Sequence, residues 1–588
     1  MTATPQGTRH RLLRASVAMV APYRRRALLS LAILLAALAT TLAGPSLVEY
    51  AINHGLVHHR SMRVVDVVGA CYLAVAAASY LLTGAQTRLL SSTGELVLND
   101  LRKRVFSHLL SQPLSFYETE SSGQLLTRMT ADIDVLETLV QSGLGTLAMS
   151  TGLFVFSVAV LVATSPLLFA ATAICLVPVV LASARYRTSS TRAYTEVRRR
   201  IGDTLSAFDE GLAGVRVVQA FRQEARVTAE FDERNGAQLD SEMATVRLAA
   251  RFFPKVEGTG VITTVVVLLA GALLVHLRMT SIGAVAAFVL YVANLFGSIQ
   301  SLSQLFDLLQ SSGAALGTVF GLLEVEPAMG EPKEPAPLPR QGALELEGVG
   351  FSYSRSAGLR DVDLRIEPGE HLALVGPTGA GKSTIAKLIG RLYDPHEGTV
   401  RFGGVDLRRT SLAHLRQRIV VVPQEGFLFR GTVLDNILLG RPEAGEREVH
   451  AALARLGIAA ALSRLPEGLA TDVGERGAHL SAGERQLVSL ARAALADPAV
   501  LVMDEATSSV DPGTERAVEA ALAALGVGRT TVTVAHRLSS AERADRVAVV
   551  DGGRVVEVGA HSELVTSGGY YARLFAAWQG EDGATLTR

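Results

Sequence analysis

Apolar residues gather in six runs before residue 305, roughly 27–48, 64–82, 144–163, 167–184, 258–277 and 282–300, and no comparable run follows residue 340. About 20 apolar residues cross about 30 Å of hydrocarbon as a helix, so six membrane helices are predicted. The first run is long and lacks a small-residue cleavage pattern, so it reads as an anchor rather than a signal peptide. The gaps between runs alternate in length. Those after runs one, three and five are short, whereas 83–143 and 185–257 are long, charged and of helical period. The membrane helices are therefore expected to continue past the bilayer. Pro113 and Gly123 would bracket a turn in the first long gap, and Gly211 and Gly214 a turn in the second. Residues 324–340 carry Pro327, Pro332, Pro335, Pro337 and Pro339, the composition of a semi-rigid extended linker. From 341 to 588 strand-like and helix-like segments alternate, the pattern of an α/β domain. The predicted order is a segment 1–26, a six-helix membrane domain 27–323, the linker 324–340 and the α/β domain 341–588.

Composition sharpens this division. The 588 residues are 49% hydrophobic and 19% charged, with mean hydropathy +0.30. That excludes a disordered chain, which needs low hydrophobicity and high net charge. Lys+Arg and Asp+Glu are both 56, giving a net charge of +0 and no basic excess for a nucleic-acid partner. Arginines cluster at Arg24–Arg26, beside the first run, and in the long gaps (Arg88, Arg102, Arg104, Arg128, Arg185, Arg187, Arg198–Arg200), while the short gaps hold Arg60, Arg63 and Arg278. The positive-inside bias places both termini and both long gaps in the cytoplasm. Cys71 and Cys175 sit in apolar runs and make no disulfide framework. Lysine is confined to Lys103, Lys255, Lys333, Lys382 and Lys387 against abundant Ala, Gly and Arg. This bias suggests a GC-rich bacterial genome, and hence a bacterial plasma membrane.

The chemistry lies in the second half. The apolar segment 371–375 runs into Gly376, Pro377, Thr378, Gly379, Ala380, Gly381, Lys382, Ser383 and Thr384. A strand, GxxxxGKS and a helix form a phosphate-binding loop, in which glycines let backbone N–H groups curl around phosphate oxygens. The following helix adds its positive end. Lys382 would reach the β- and γ-phosphates and Ser383 would ligate Mg²⁺. A second apolar segment, 500–503, ends in Asp504 and Glu505. By itself this pair could merely end a strand and cap a helix. After a phosphate loop, Asp504 is expected to hold Mg²⁺ through water and Glu505 to polarise the attacking water. Gln424 and His536 each follow a strand-like segment, at the edge where parallel sheets bind ligands. Both fit contacts to phosphate, metal or water, with His536 sensing the γ-phosphate. Tyr353, on a predicted strand, could stack on adenine or serve as an ordinary strand tyrosine.

The segment 479–486, HLSAGERQ, resembles the signature loop of ABC ATPases. Phosphate loop, signature, the Asp504–Glu505 strand, SSVD (Ser508–Asp511) and His536 follow that family's order and approximate spacing. DVGERG at 472–477 resembles a loop of ABC exporters, and 116–134 and 214–224 resemble the two intracellular loops of type IV exporters. The resemblance covers nearly the whole chain. It implies a half-transporter, six membrane helices fused to one ABC ATPase domain, that pumps with ATP and Mg²⁺ and works as a pair of chains. ATP would lie between the phosphate loop of one chain and Ser481 and Gly483 of the other, with the turns in the long gaps as coupling helices. The family signature is usually LSGGQ, but here Ala482 and Glu484 alter it. Such departures accompany pairing with a different half, so a heterodimer is favoured over a homodimer.

The cargo is less specified. Asp66 and His276 lie near helix ends, and Tyr72, Tyr80, Tyr291, Asn294 and Gln300 are candidate pathway contacts or packing residues. An apolar pathway suits amphipathic molecules or lipids, with peptides and siderophores still open. An importer would carry an added binding domain, and a regulatory channel subunit often has damaged catalytic residues. Export is therefore the favoured expectation.

Overall fold

The computed structural model describes residues 19–58, 62–120, 122–325, 329–354, 357–423, 426–504, 512–535 and 538–585. Its chain divides into two compact units, one of residues 1–111 and 120–326, the other of 112–119 and 327–588.

The first unit is helical. Among the described residues it holds six segments long and apolar enough to cross a membrane. The principal helices are α1 (Arg24–Tyr50), α2 (Met62–Leu110), α3 (Leu144–Thr164), α4 (Pro166–Ala213), α5 (Glu224–His276) and α6 (Ile282–Leu323). Helices α2, α4, α5 and α6 have 49, 48, 53 and 42 residues. At 1.5 Å per residue they run about 60–80 Å, far beyond the hydrocarbon, which is the expected continuation out of the bilayer. Caps set the tight turns. Ser165 accepts from the Leu168 N–H at 3.4 Å and precedes Pro166 at the start of α4, and Ser281 accepts from the Ala284 N–H at 3.0 Å at the start of α6. Helix α6 is the most enclosed of the six, with 56% of its most apolar window buried against 22% or less in the others. Phe288, Tyr291, Val292 and Leu295 from α6 pack with Leu161, Leu168, Phe252 and Val267.

Three expectations need adjusting. Gly211 lies inside α4 and forms no turn. The helix continues to Ala213, and the reversal is made by Gly214, a short helix Val215–Ala220 and Arg222 at φ 52°. Of the two readings left open for Tyr291, packing is the one its burial supports. Pro45 sits within α1 and removes one helical donor. The Tyr291 hydroxyl lies beside it, donating to the Leu42 carbonyl at 2.6 Å and lying 2.8 Å from Ser46 Oγ. The proline-rich stretch is not a free spacer over its described part. Leu338 joins the core of the second unit, and the Ala336 N–H donates to the Arg409 carbonyl at 2.7 Å.

The second unit holds two sheets. The strands are β1 (Leu344–Ser354), β2 (Ala357–Ile366), β3 (His371–Val375), β4 (Glu397–Phe402), β5 (Val405–Asp406), β6 (Ile419–Val422), β7 (Val500–Asp504), β8 (Thr530–Val534), β9 (Arg546–Asp551) and β10 (Arg554–Gly559). One sheet runs β2-β1-β4-β5 and is antiparallel. The other runs β10-β9-β3-β8-β7-β6 and is parallel except for the β9–β10 hairpin. Strands β3, β7 and β8 are almost fully buried; residues 372–375 of β3 and 500–503 of β7 accordingly read as apolar runs, whereas β8 buries three threonines, Thr530, Thr531 and Thr533. A separate helical core, including Val433, Ile437, Val449, Leu453, Leu487 and Val488, packs beside Val422 and Leu501 of the parallel sheet.

Candidate functional site

The parallel register brings the carboxyl ends of four strands to one edge, with Leu374 opposite Val534, Asp504 opposite Val534 and Val422 opposite Met503. The phosphate loop leaves β3 at this edge. Gly376 has φ +146°, and a Cβ there would lie 2.0 Å from the Val550 carbonyl oxygen, so any side chain would displace backbone. The loop ends at Gly381, and α7 (Lys382–Ile389) begins. Lys382 is buried, and its Nζ donates to the carbonyls of Gly376 at 2.7 Å and Pro377 at 3.0 Å, bridging the loop from within. Burial pushes its ammonium below the usual lysine value, while the nearby charge of Asp504 pulls the other way.

Residues 377–384 line an open cleft of about 690 Å³, whose walls include Tyr353, Leu359, Arg360 and Gly553. Tyr353 stands on β1 and is 51% exposed. The contributions of Leu359, Arg360 and the Asp551–Gly553 turn went unread in the sequence. Asp-Gly-Gly between two strand-like segments does signal a hairpin. Its approach to the loop, with the Gly553 N–H donating to the Ala380 carbonyl at 3.1 Å, is a tertiary fact.

Ser481 caps α8 (Ala482–Ala496). Its hydroxyl accepts from the Glu484 N–H at 3.3 Å, and the Glu484 carboxylate accepts from the Ser481 N–H at 2.8 Å. This is a reciprocal capping box. Ser481 is exposed and Gly483 buried. Gln424, Glu505, the segment 508–511 and His536 lie outside the described residues.

Two family models match the chain: ABC transporter transmembrane region over residues 27–299 and ABC transporter over 359–508. An uncharacterized ABC transporter ATP-binding protein, YknV of Bacillus subtilis, is 36% identical over 95% of this chain and 93% of its own length. The chain belongs to the ABC transporter family. It is similar to an ATP-dependent lipid A-core flippase of Thiobacillus denitrificans, 35% identical over 82% of this chain and 84% of that protein. Its fold is similar to a bacterial Atm1-family ABC exporter solved with ATP bound, at TM-score 0.79 and 27% identity, covering 94% of this chain and 98% of that one.

This ABC transporter is thus an exporter-type half-transporter, a multi-pass membrane protein and an ATPase. The oxygens present also suit Mg²⁺. Ser383 lies in the first turn of α7 on the cleft wall, and Asp504 ends β7 close enough for its charge to act on Lys382. Hard oxygen donors of this kind, few in number, leave room for phosphate and water around the ion.

Proposed function

We propose that the chain exports a small amphipathic molecule, lipid or peptide across a bacterial plasma membrane, with both termini in the cytoplasm. The observation that carries this reading is the phosphate-loop cleft, fused in one chain to six long apolar helices. The backbone N–H groups of residues 378–384 and Lys382 would bind the triphosphate, and Tyr353 would stack on the base. Ser383 and Asp504, with Gln424, would hold Mg²⁺, which would supply positive charge to offset that of the phosphates. Glu505 would orient and deprotonate the attacking water, and His536 would contact the γ-phosphate. Two chains would pair so that Ser481, Gly483 and Glu484 of one close on the nucleotide held by the other. Closure would then drive alternation between inward- and outward-facing arrangements.

The altered signature favours a different half-transporter as partner. Helix α8 offers its positive end to an anion, but the Glu484 carboxylate already occupies part of that end. A nucleotide facing this loop meets a weaker clamp, as expected of the less active site of an asymmetric pair. The test is transport into inverted membrane vesicles carrying the chain with and without its candidate partner. ATP-dependent uptake abolished by Glu505→Gln supports the reading. Equal uptake by wild type and that variant would sink it.

A further inference from the structure

The segment 112–119 belongs with the second unit, although in sequence it follows a membrane helix. Pro113 breaks the chain after α2, and a short helix Leu114–Thr119 follows. Leu114 packs against the core of the unit. Glu118 meets two side chains there: Lys387 Nζ donates to its Oε1 at 2.8 Å, and the Tyr393 hydroxyl donates to its Oε2. Burial pushes the Glu118 carboxyl up, but those two hydrogen bonds and the lysine charge outweigh it and hold the group below the ordinary carboxylate range.

Lys387 stands on α7, five residues after Lys382. Its ammonium lies 5.4 Å from the centroid of the Tyr353 ring and 5.7 Å from that of Tyr393. The two rings meet edge to face at 5.3 Å, and Phe351 holds Tyr353 edge to face at 5.0 Å. Tyr353 also lines the phosphate-loop cleft. Direct contacts therefore lead from the wall of that cleft through Lys387 and Tyr393 to one carboxylate on segment 112–119. The aromatic stack and the cation fix the angle of the Tyr353 ring, and Glu118 fixes the cation and the neighbouring hydroxyl.

We propose that Glu118 is a positioning residue for nucleobase recognition: it holds Lys387 and Tyr393 so that Tyr353 presents its ring to a base, and a bound base in turn strengthens the docking of segment 112–119. This rests on the reading that the cleft takes a nucleotide. Coupling between two binding events is reciprocal, so each half of the statement requires the other. The phosphates make no use of this relay, because the backbone of the loop and Lys382 serve them.

The full-length protein in lipid nanodiscs is titrated by calorimetry with ATP and with inorganic tripolyphosphate, which carries the phosphate charge without a base. Wild type is expected to bind both. Glu118→Gln should weaken ATP about 5-fold or more and leave tripolyphosphate within about twofold. Tyr393→Phe should act in the same direction with a smaller effect. In wild type, hydrogen exchange in residues 112–119 should slow on adding ATP but not on adding tripolyphosphate, a readout that needs no variant. Equal weakening of both ligands by Glu118→Gln, or no weakening of either, overturns the proposal. So does equal exchange protection by the two ligands. Wild type binding neither ligand would instead refute the nucleotide reading of the cleft.

Discussion

At the scale of single residues, charges and caps decide most of what can be tested. Glu505→Gln keeps the shape of the residue and removes the base, so ATP binding should persist while steady hydrolysis falls about 100-fold or more. Nucleotide binding and phosphate release measured on the same preparation check this. Glu484 has a second role that its place in the signature conceals. Because its carboxylate closes the capping box on Ser481, Glu484→Ala should cost about 1 kcal/mol at the start of α8, whereas Glu484→Gln should be nearly neutral. Denaturant unfolding of the two variants separates them. His371 supplies a pH dependence. Burial pushes its imidazole below the ordinary value of 6.5, against the opposing charge of Asp545. The unfolded chain therefore binds the proton more readily than the folded one, and stability should fall as pH drops below about 6.5. Thermal unfolding between pH 5 and 8 should show this slope, reduced in His371→Gln. The loop glycines, Lys382 and Ser383 were legible from their spacing alone, because a phosphate cradle needs those residue types at those positions. Leu359 and Arg360 were not, because nothing in the local pattern says that β2 borders the cleft.

At the scale of elements, periodicity and breakers carried the reading as far as local physics reaches. The six apolar runs marked the parts of the helices apolar enough to cross a membrane, and the charged continuations of helical period marked the rest. Turn positions were less legible. Pro113 falls at the real break after α2, since proline cannot continue a helix's hydrogen bonding. Gly211 does not break α4, because one glycine in a long packed helix costs only about 1 kcal/mol. Close approach between helices was invisible in the pattern. A Cβ on Gly94 of α2 would lie 1.7 Å from Val140 Cγ1, in the π-helical turn Leu139–Gly143. Valine is stiff, so Gly94→Ala should destabilise the membrane unit by about 1–3 kcal/mol. A lowered thermal midpoint in detergent, with the Gly123→Ala variant unchanged, is the expected result, as no atom lies within 4 Å of a Cβ on Gly123.

At the scale of the whole molecule, the cleft and the signature helix are each built within one chain, yet by the proposed mechanism neither completes a catalytic site alone. If the partner is a different half-transporter, this chain purified by itself should hydrolyse ATP slowly. Co-expression with a half-transporter bearing LSGGQ should raise the rate about tenfold or more. Robust turnover by a homogeneous dimer of this chain would remove the asymmetric pairing and leave the ATPase itself intact.

The sequence by itself determined the six spans, the change from membrane to α/β composition, and the phosphate loop. Each follows from short-range rules: the length that crosses a bilayer, the period of a helix or strand, and the backbone freedom a phosphate cradle needs. Only the tertiary structure decided that Leu338 is anchored in the second unit's core and that Tyr291 bonds beside a proline in α1. The same holds for Glu118 meeting Lys387 and Tyr393 across more than 260 positions of chain. Such contacts depend on which surfaces the packed core brings together, and no local pattern in the chain encodes that.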